Sequence, residues 1–426
     1  MRARTKGMTL SNIGKWLLAA TSTAGIALAI TSCGASNTVD VVYVTSNKLN
    51  PGQINAYYLD SETGNLRQLV DSPYPSGGRN PVYEVTSPNG LNLYVANHDD
   101  NTIVRFAIGT DGKLYPLQTV NTPGTEPVSL AINSAGTELY VLDYYAPASP
   151  GQPSYTDLNP GPGAVIVLPL DASTGAMGAA LTVGVTNYFE VQCFPTSMTL
   201  TPDGNYLFVT DTNAVVVTTS PPVTGTVPTL PAGCPNSGTV AAYSMTGGVP
   251  NISPATTGTP ASPSFYSTGA GSEPTGITAD PNSSVIYVTD AALNLVYTYS
   301  ISGGTIALTS SAITGTMPMG ALVAGNFLYV SNYNGGTLSS YSLSSGVPVP
   351  LATTTSAAPG PLCLMLDPDV GRFLYTTNYI GGSVGGAEFN PSTGALVQNQ
   401  GSPYITSGQP TCIASVKQKQ GNANGL

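Results

Sequence analysis

One short pattern returns seven times along the chain: an aromatic residue, usually followed by valine, with Asn, Asp or Ser two positions later. The copies are Tyr43-Val44-Thr45-Ser46, Tyr94-Val95-Ala96-Asn97, Tyr140-Val141-Leu142-Asp143, Phe208-Val209-Thr210-Asp211, Tyr287-Val288-Thr289-Asp290, Tyr329-Val330-Ser331-Asn332 and Tyr375-Thr376-Thr377-Asn378. Aromatic and β-branched residues in short apolar runs read as strands. A proline opening an alternating apolar stretch runs in step, at Pro81, Pro127, Pro195, Pro274, Pro318, Pro361 and Pro410, with spacings of 46, 68, 79, 44, 43 and 49 residues. Residues 127–143, PVSLAINSAGTELYVLD, join the two features through a polar turn and read as a two-strand meander. Each copy continues into a third strand, such as 54–59, and a tight turn ending in glycine, such as Asp60-Ser61-Glu62-Thr63-Gly64 or Asp111-Gly112. Glycine there supplies the positive φ that folds the chain back into an outer strand. Four strands per repeat and seven repeats predict an all-β chain, a seven-bladed β-propeller of four-stranded antiparallel blades.

The ends of the pattern are complementary. The first Tyr-Val strand, 41–45, has no proline strand before it, and the last proline strand, 411–416, has no Tyr-Val strand after it. Pairing them completes a first blade from residues 39–80 plus 410–416 and closes the ring without an open edge. The propeller is therefore placed at 39–416, with a polar tail at 417–426.

Ahead of it, Arg2, Arg4, Lys6 and Lys15 precede an apolar run over 16–30 and the sequence Ile30-Thr31-Ser32-Cys33. This pattern predicts a signal peptide over 1–32. An apolar residue three before a cysteine is similar to the bacterial lipobox, which implies lipidation of Cys33, a short linker at 33–38 and an extracytoplasmic lipoprotein held at the periplasmic or cell-surface membrane. Removing the signal leaves eight basic against 22 acidic residues, a net charge of −14, and no Lys, Arg or His occurs between Lys113 and Arg372. A chain so poor in cations is not built for nucleic acid, and it disfavours a phosphorylated substrate, whose dianion needs an Arg or Lys clamp. A neutral carbohydrate, a cation or a basic surface fits better.

Blades 3 and 4 are lengthened by Pro/Gly/Ser-rich insertions at 144–163 and 213–238, both following the Tyr-Val-x-Asp element and therefore on one face. The residues just before the seven prolines, Asn80, Glu126, Phe194, Glu273, Met317, Gly360 and Gln409, lie on that same face, which is the expected binding surface for a small molecule or protein. Four cysteines remain after Cys33. Cys193 and Cys234 belong to one blade and one face, and are expected to pair. Cys363 and Cys412 each stand two residues after a proline in blades that meet at the closure, and are expected to form the second bridge. No Cys-x-x-Cys occurs, so neither a zinc site nor any other resident cofactor is expected.

Groups that carry chemistry are scarce. His98 is the only histidine, in Asn97-His98-Asp99-Asp100, and no Gly-x-Ser-x-Gly elbow accompanies it. Glu126 and Glu273 stand before their prolines in blades 3 and 5, flanking blade 4, where their carboxylates are placed to converge on a ligand or cation. With Arg79, Asn80, His98, Asp99 and Gln409 they are the candidate site residues, the two glutamates as catalytic groups and the others as binding groups.

These motifs, with Pro202-Asp203-Gly204, resemble the Tyr-Val-Thr-Asn repeat propellers and the seven-bladed lactonase family that contains 6-phosphogluconolactonase. The resemblance covers 39–416. It implies lactone chemistry by Glu and Arg, with Arg and His around the starts of the inner strands. Here the residues following the seven prolines are Val82, Val128, Thr196, Thr275, Met319, Leu362 and Thr411, none of them basic. A shared fold does not fix activity. The sequence therefore supports three readings: first, a monomeric, lipid-anchored lactonase-like propeller acting as a binding or assembly scaffold through the face with the insertions; second, a hydrolase of neutral lactones using Glu126 or Glu273; third, a cation-binding propeller.

Overall fold

The computed structural model describes residues 38–417 apart from 48, 149–152, 157–158, 213–236, 253–261, 345, 352–354 and 370. Seven antiparallel sheets follow one another in chain order. The second to seventh blades begin at Pro81–Thr86, Thr125–Ile132, Pro195–Leu200, Pro274–Ala279, Pro318–Ala324 and Pro361–Leu366. Blade 1 takes its innermost strand from the far end of the chain, Gln409–Lys417 pairing with Thr38–Asn47, followed outward by Gln53–Asp60 and Leu66–Gln68. Lys417, assigned to the tail from sequence, is the last residue of that closing strand because it pairs with Asp40. Each inner strand neighbours the ones before and after it, and the seventh neighbours the first, so the ring is closed.

The second strand of each blade is the Tyr-Val strand, and in Asn92–Asn97, Phe327–Asn332 and Phe373–Asn378 every residue is buried. Such a strand packs on both faces, which is why it reads as a continuous apolar run rather than an alternating one. Seven apolar clusters result, one at each seam between neighbouring blades; Tyr94 and Ile103 of blade 2, for example, pack on Val141 and Ile166 of blade 3.

Hydroxyls stitch the seams as well. Six Tyr-Val strands use their tyrosine to donate to a glycine carbonyl in the outer turn of the next blade: Tyr43 to Gly112, Tyr94 to Gly175, Tyr140 to Gly248, Tyr287 to Gly346, Tyr329 to Gly394 and Tyr375 to Gly64, at 2.5–2.9 Å. All six glycines hold positive φ, between 66° and 80°. Nearer the axis, Thr289 donates to the Met319 carbonyl, Ser331 to Leu362 and Thr411 to Pro81, each in the adjoining blade. Cys363 and Cys412 are bonded across the blade 7 to blade 1 seam, with Cα atoms 5.0 Å apart. The signal segment, Cys33 and Cys234, and with Cys234 the Cys193–Cys234 pairing, lie outside the described residues.

Candidate active site at the channel rim

The seven prolines and the seven Tyr-Val strand ends share one end of the blades. Pro81 lies opposite Asn97, Pro127 opposite Asp143, Pro195 opposite Asp211, Pro274 opposite Asp290, Pro318 opposite Asn332, Pro361 opposite Asn378 and Pro410 opposite Ser46. Within the ring this end opens onto an axial channel of about 220 Å³ whose lining includes Val82, Val128, Thr196, Thr275, Met319, Leu362 and Thr411. Its lining residues are uncharged, so charged chemistry belongs to the rim.

The rim is built by one repeated device. The carbonyl of the residue before the proline accepts the N–H of the residue just beyond the Asn/Asp: Asn80 from His98 at 3.0 Å, Phe194 from Thr212 at 3.1 Å, Glu273 from Ala291 at 2.9 Å, Met317 from Tyr333 at 2.8 Å and Gly360 from Tyr379 at 2.7 Å. Five of the seven pre-proline residues, Asn80, Glu126, Phe194, Met317 and Gly360, hold positive φ of 51–74°. For Glu, Phe and Met this conformation is strained, and strain of that kind collects at functional sites. Several of the carboxyls and amides that close the Tyr-Val elements are spent on backbone N–H groups: Asn332 accepts from Gly315 at 3.0 Å, and Asp290 from Ala292 and Leu293 at 3.1 and 2.9 Å.

Blades 1, 2, 3 and 7 add a polar relay to this frame. His98–Asp100 forms a single 3-10 turn closed by Asn101 at φ 55°. Asn47 donates from Nδ2 to the Tyr379 hydroxyl at 3.2 Å and to Asn80 Oδ1 at 3.1 Å. Asn80 Nδ2 donates to Asp99 Oδ1 at 3.0 Å, and the same oxygen lies 2.8 Å from His98 Nδ1. The far nitrogen of the ring, Nε2, is 3.9 Å from Glu126 Oε2. Burial raises the Asp99 carboxyl, but hydrogen bonds from Asn80 and His98 and the nearby charges of His98 and Arg79 outweigh it and hold the group below the usual range. An ionised carboxylate only accepts, so Nδ1 carries a proton in either charge state of the ring, and whenever the ring is neutral its lone pair lies at Nε2. The ring side chain is 27% exposed, so water reaches it.

Arg79 is not free to clamp an anion. Its Nε is 2.6 Å from Asp100 and its Nη2 donates to the Asp99 carbonyl at 2.8 Å, so it staples the turn that carries His98. Glu126 is set by its own N–H, which donates to Asn101 Oδ1 at 2.7 Å; Met317 is held likewise by Asn294, at 2.8 Å, one seam beyond blade 5. Of the residues predicted from sequence, the structure gathers Arg79, Asn80, His98, Asp99 and Glu126. Glu273 and Gln409 share the rim, where Gln409 stands opposite Asn47. Asn47, Asn101 and Tyr379 complete the relay and were missed; the signal for Asn101 was its place four residues after Asn97, which Asn294 repeats after Asp290. Among the described residues no group of three or more His, Cys, Asp or Glu side chains has the geometry to hold a metal ion.

Comparison with known proteins agrees with this architecture. The model of the family "Lactonase, 7-bladed beta-propeller" matches residues 33–114 and 84–145. A 6-phosphogluconolactonase of Xenorhabdus nematophila is 35% identical over 105 residues, a match spanning 24% of this chain and 30% of that protein. The periplasmic gluconolactonase PpgL of Pseudomonas aeruginosa superposes with a TM-score of 0.65 at 18% identity, over 89% of this chain and 99% of its own. A candidate 6-phosphogluconolactonase of Bacteroides uniformis does so with a TM-score of 0.68 at 19% identity, over 89% and 100%. By fold around the whole ring this chain is a seven-bladed β-propeller, and over residues 33–145 its sequence is similar to the seven-bladed lactonases.

Proposed function

We propose that the protein hydrolyses neutral sugar-type lactones at the channel rim, with His98 and Glu126 as its acid–base pair. The observation that carries this is the His98 ring held by Asp99 at Nδ1 and facing Glu126 through Nε2. Water attacks the lactone carbonyl as Nε2 takes its proton; the tetrahedral intermediate then collapses, the ring C–O bond breaks, and the proton is returned to the departing alkoxide, giving one hydroxy acid per lactone and water. The names of the Xenorhabdus and Pseudomonas relatives supply the substrate class. Charge supplies the restriction to neutral lactones: Asp99, Asp100, Glu126 and Glu273 face only Arg79 and His98 among the described rim residues, and Arg79 is bound to Asp100. The scaffold role rests on insertions that lie largely outside the described residues, whereas the lactone reading rests on groups within them. Export and lipidation at Cys33 belong to the same proposal, on the strength of the amino-terminal sequence; fatty-acid labelling that persists in Cys33→Ala would remove that part.

The test is hydrolysis of a panel of neutral and phosphorylated lactones by the purified domain. Neutral lactones should be turned over in preference to phosphorylated ones. Glu126→Gln and His98→Gln should each lower kcat by roughly 10²-fold or more, within the range a positioned acid or base contributes, while Glu273→Gln should stay within a few fold of wild type. Absence of turnover above buffer by folded wild-type protein would sink the proposal.

A further inference from the structure

We propose that Asn80 is a positioning residue that fixes the tautomer of His98, and so the availability of its Nε2, without touching substrate. This rests on the reading of His98 as the acid–base group. Asn80 is tied to the site four ways. Its carbonyl accepts the His98 N–H at 3.0 Å, its Nδ2 donates to Asp99 Oδ1 at 3.0 Å, its Oδ1 accepts from Asn47 Nδ2 at 3.1 Å, and Pro81 follows it directly. Its neighbours dictate the orientation of the amide: Asp99 only accepts and Asn47 presents its own Nδ2, so the Asn80 nitrogen faces Asp99 and its oxygen faces Asn47. The oxygen of Asp99 that meets the imidazole is the one Asn80 holds. Backbone chemistry narrows the choice further, because φ at this position is 51° and only Gly, Asn and Asp enter that region readily. Of these, Asn alone brings a donor to the carboxylate. Through Asn47 the same hub reaches Tyr379, so blades 7 and 1 bear on the ring of blade 2.

His98 is the only histidine of the chain, so its two ring nitrogens give unambiguous ¹⁵N signals in tag-free protein. Asn80→Gly keeps the left-handed backbone and removes the amide; Asn80→Asp keeps the shape and turns an acceptor toward Asp99. In wild type, above the ring's titration, the spectrum should show the Nδ1–H tautomer. Asn80→Gly should move it toward the Nε2–H form that an unconstrained imidazole prefers, with a kcat loss of roughly tenfold or more and little change in KM; Asn80→Asp should lose at least as much. Unfolding midpoints within a few degrees of wild type in either variant separate positioning from loss of fold. A wild-type ring in the Nε2–H form, or an Asn80→Gly spectrum and kcat identical to wild type, would overturn the inference while leaving lactone hydrolysis standing. If Asn80→Gly shifts the tautomer and wild type turns over no lactone, the hold of Asn80 on His98 is upheld and the proposed function falls instead.

Discussion

Tyr329 is buried completely, and its hydroxyl reaches the carbonyl of Gly394, 65 residues away in the next blade, at 2.9 Å. Removing that oxygen leaves a buried carbonyl without a donor, so Tyr329→Phe should lower unfolding free energy by about 1–3 kcal/mol in urea titration; a change under 0.5 kcal/mol would show the latch to be idle. Burial pushes these phenols up, Tyr94 to about 12, so they stay protonated donors at any physiological pH. Blade 4 carries the same substitution naturally, as Phe208. The tyrosine repeat was plain in the sequence, but the role of the hydroxyl was not. Its partner lies in a different repeat, at a separation that varies from 59 to 311 residues, and no local pattern encodes it.

At the scale of the element, the single turn His98–Asp100 shows how a strand end becomes a site. Asn101 closes the turn in the left-handed region, and its side chain holds the N–H of Glu126 in the next blade. Asn101→Ala forfeits both the conformation and the acceptor and should destabilise by about 1–2 kcal/mol while lowering lactone turnover; Asn101→Gly keeps the conformation and should retain most of the stability. Thermal unfolding and initial rates of both variants check this, and equal stability losses would refute it. The strand pairs themselves, opened by proline and ended by Asn or Asp, were legible because a period of two and a turn glycine are local properties. The grouping of Asn80, His98, Asp99 and Glu126 was legible only as common membership of the rim. Glu273 looked equivalent to Glu126 by position, but the chain's single histidine, His98, stands beside Glu126.

The whole molecule depends on closing a ring, and the closing seam buries a carboxyl whose ionisation is tied to pH. Asp40 is fully buried beside the blade 7 turn that bears Asp367 and Asp369, with Lys417 opposite it on the closing strand; burial first, then the two carboxylates, push it up to about 7. A folded value above the unfolded one means that the stability from this group is complete below about pH 4 and is lost as pH rises through 7. Asp40→Asn should therefore match wild type near pH 4.5 and exceed it at pH 8, by an amount on the order of a few kcal/mol, in urea titrations at both pH values. Parallel behaviour of the two proteins across that range would refute it. The sequence by itself determined the strand count, the blade count and the one-plus-three closure, because each follows from a repeated alternation and from an incomplete repeat at either end. Only the tertiary structure decided which side chains meet: the latch from each tyrosine to the next blade, the engagement of Arg79 by Asp100 and the relay from Tyr379 through Asn47 and Asn80 to His98 all join residues from turns and blades that sequence spacing does not relate. Ring closure sets those meetings, for it brings blades 7, 1, 2 and 3 side by side at one end of the channel.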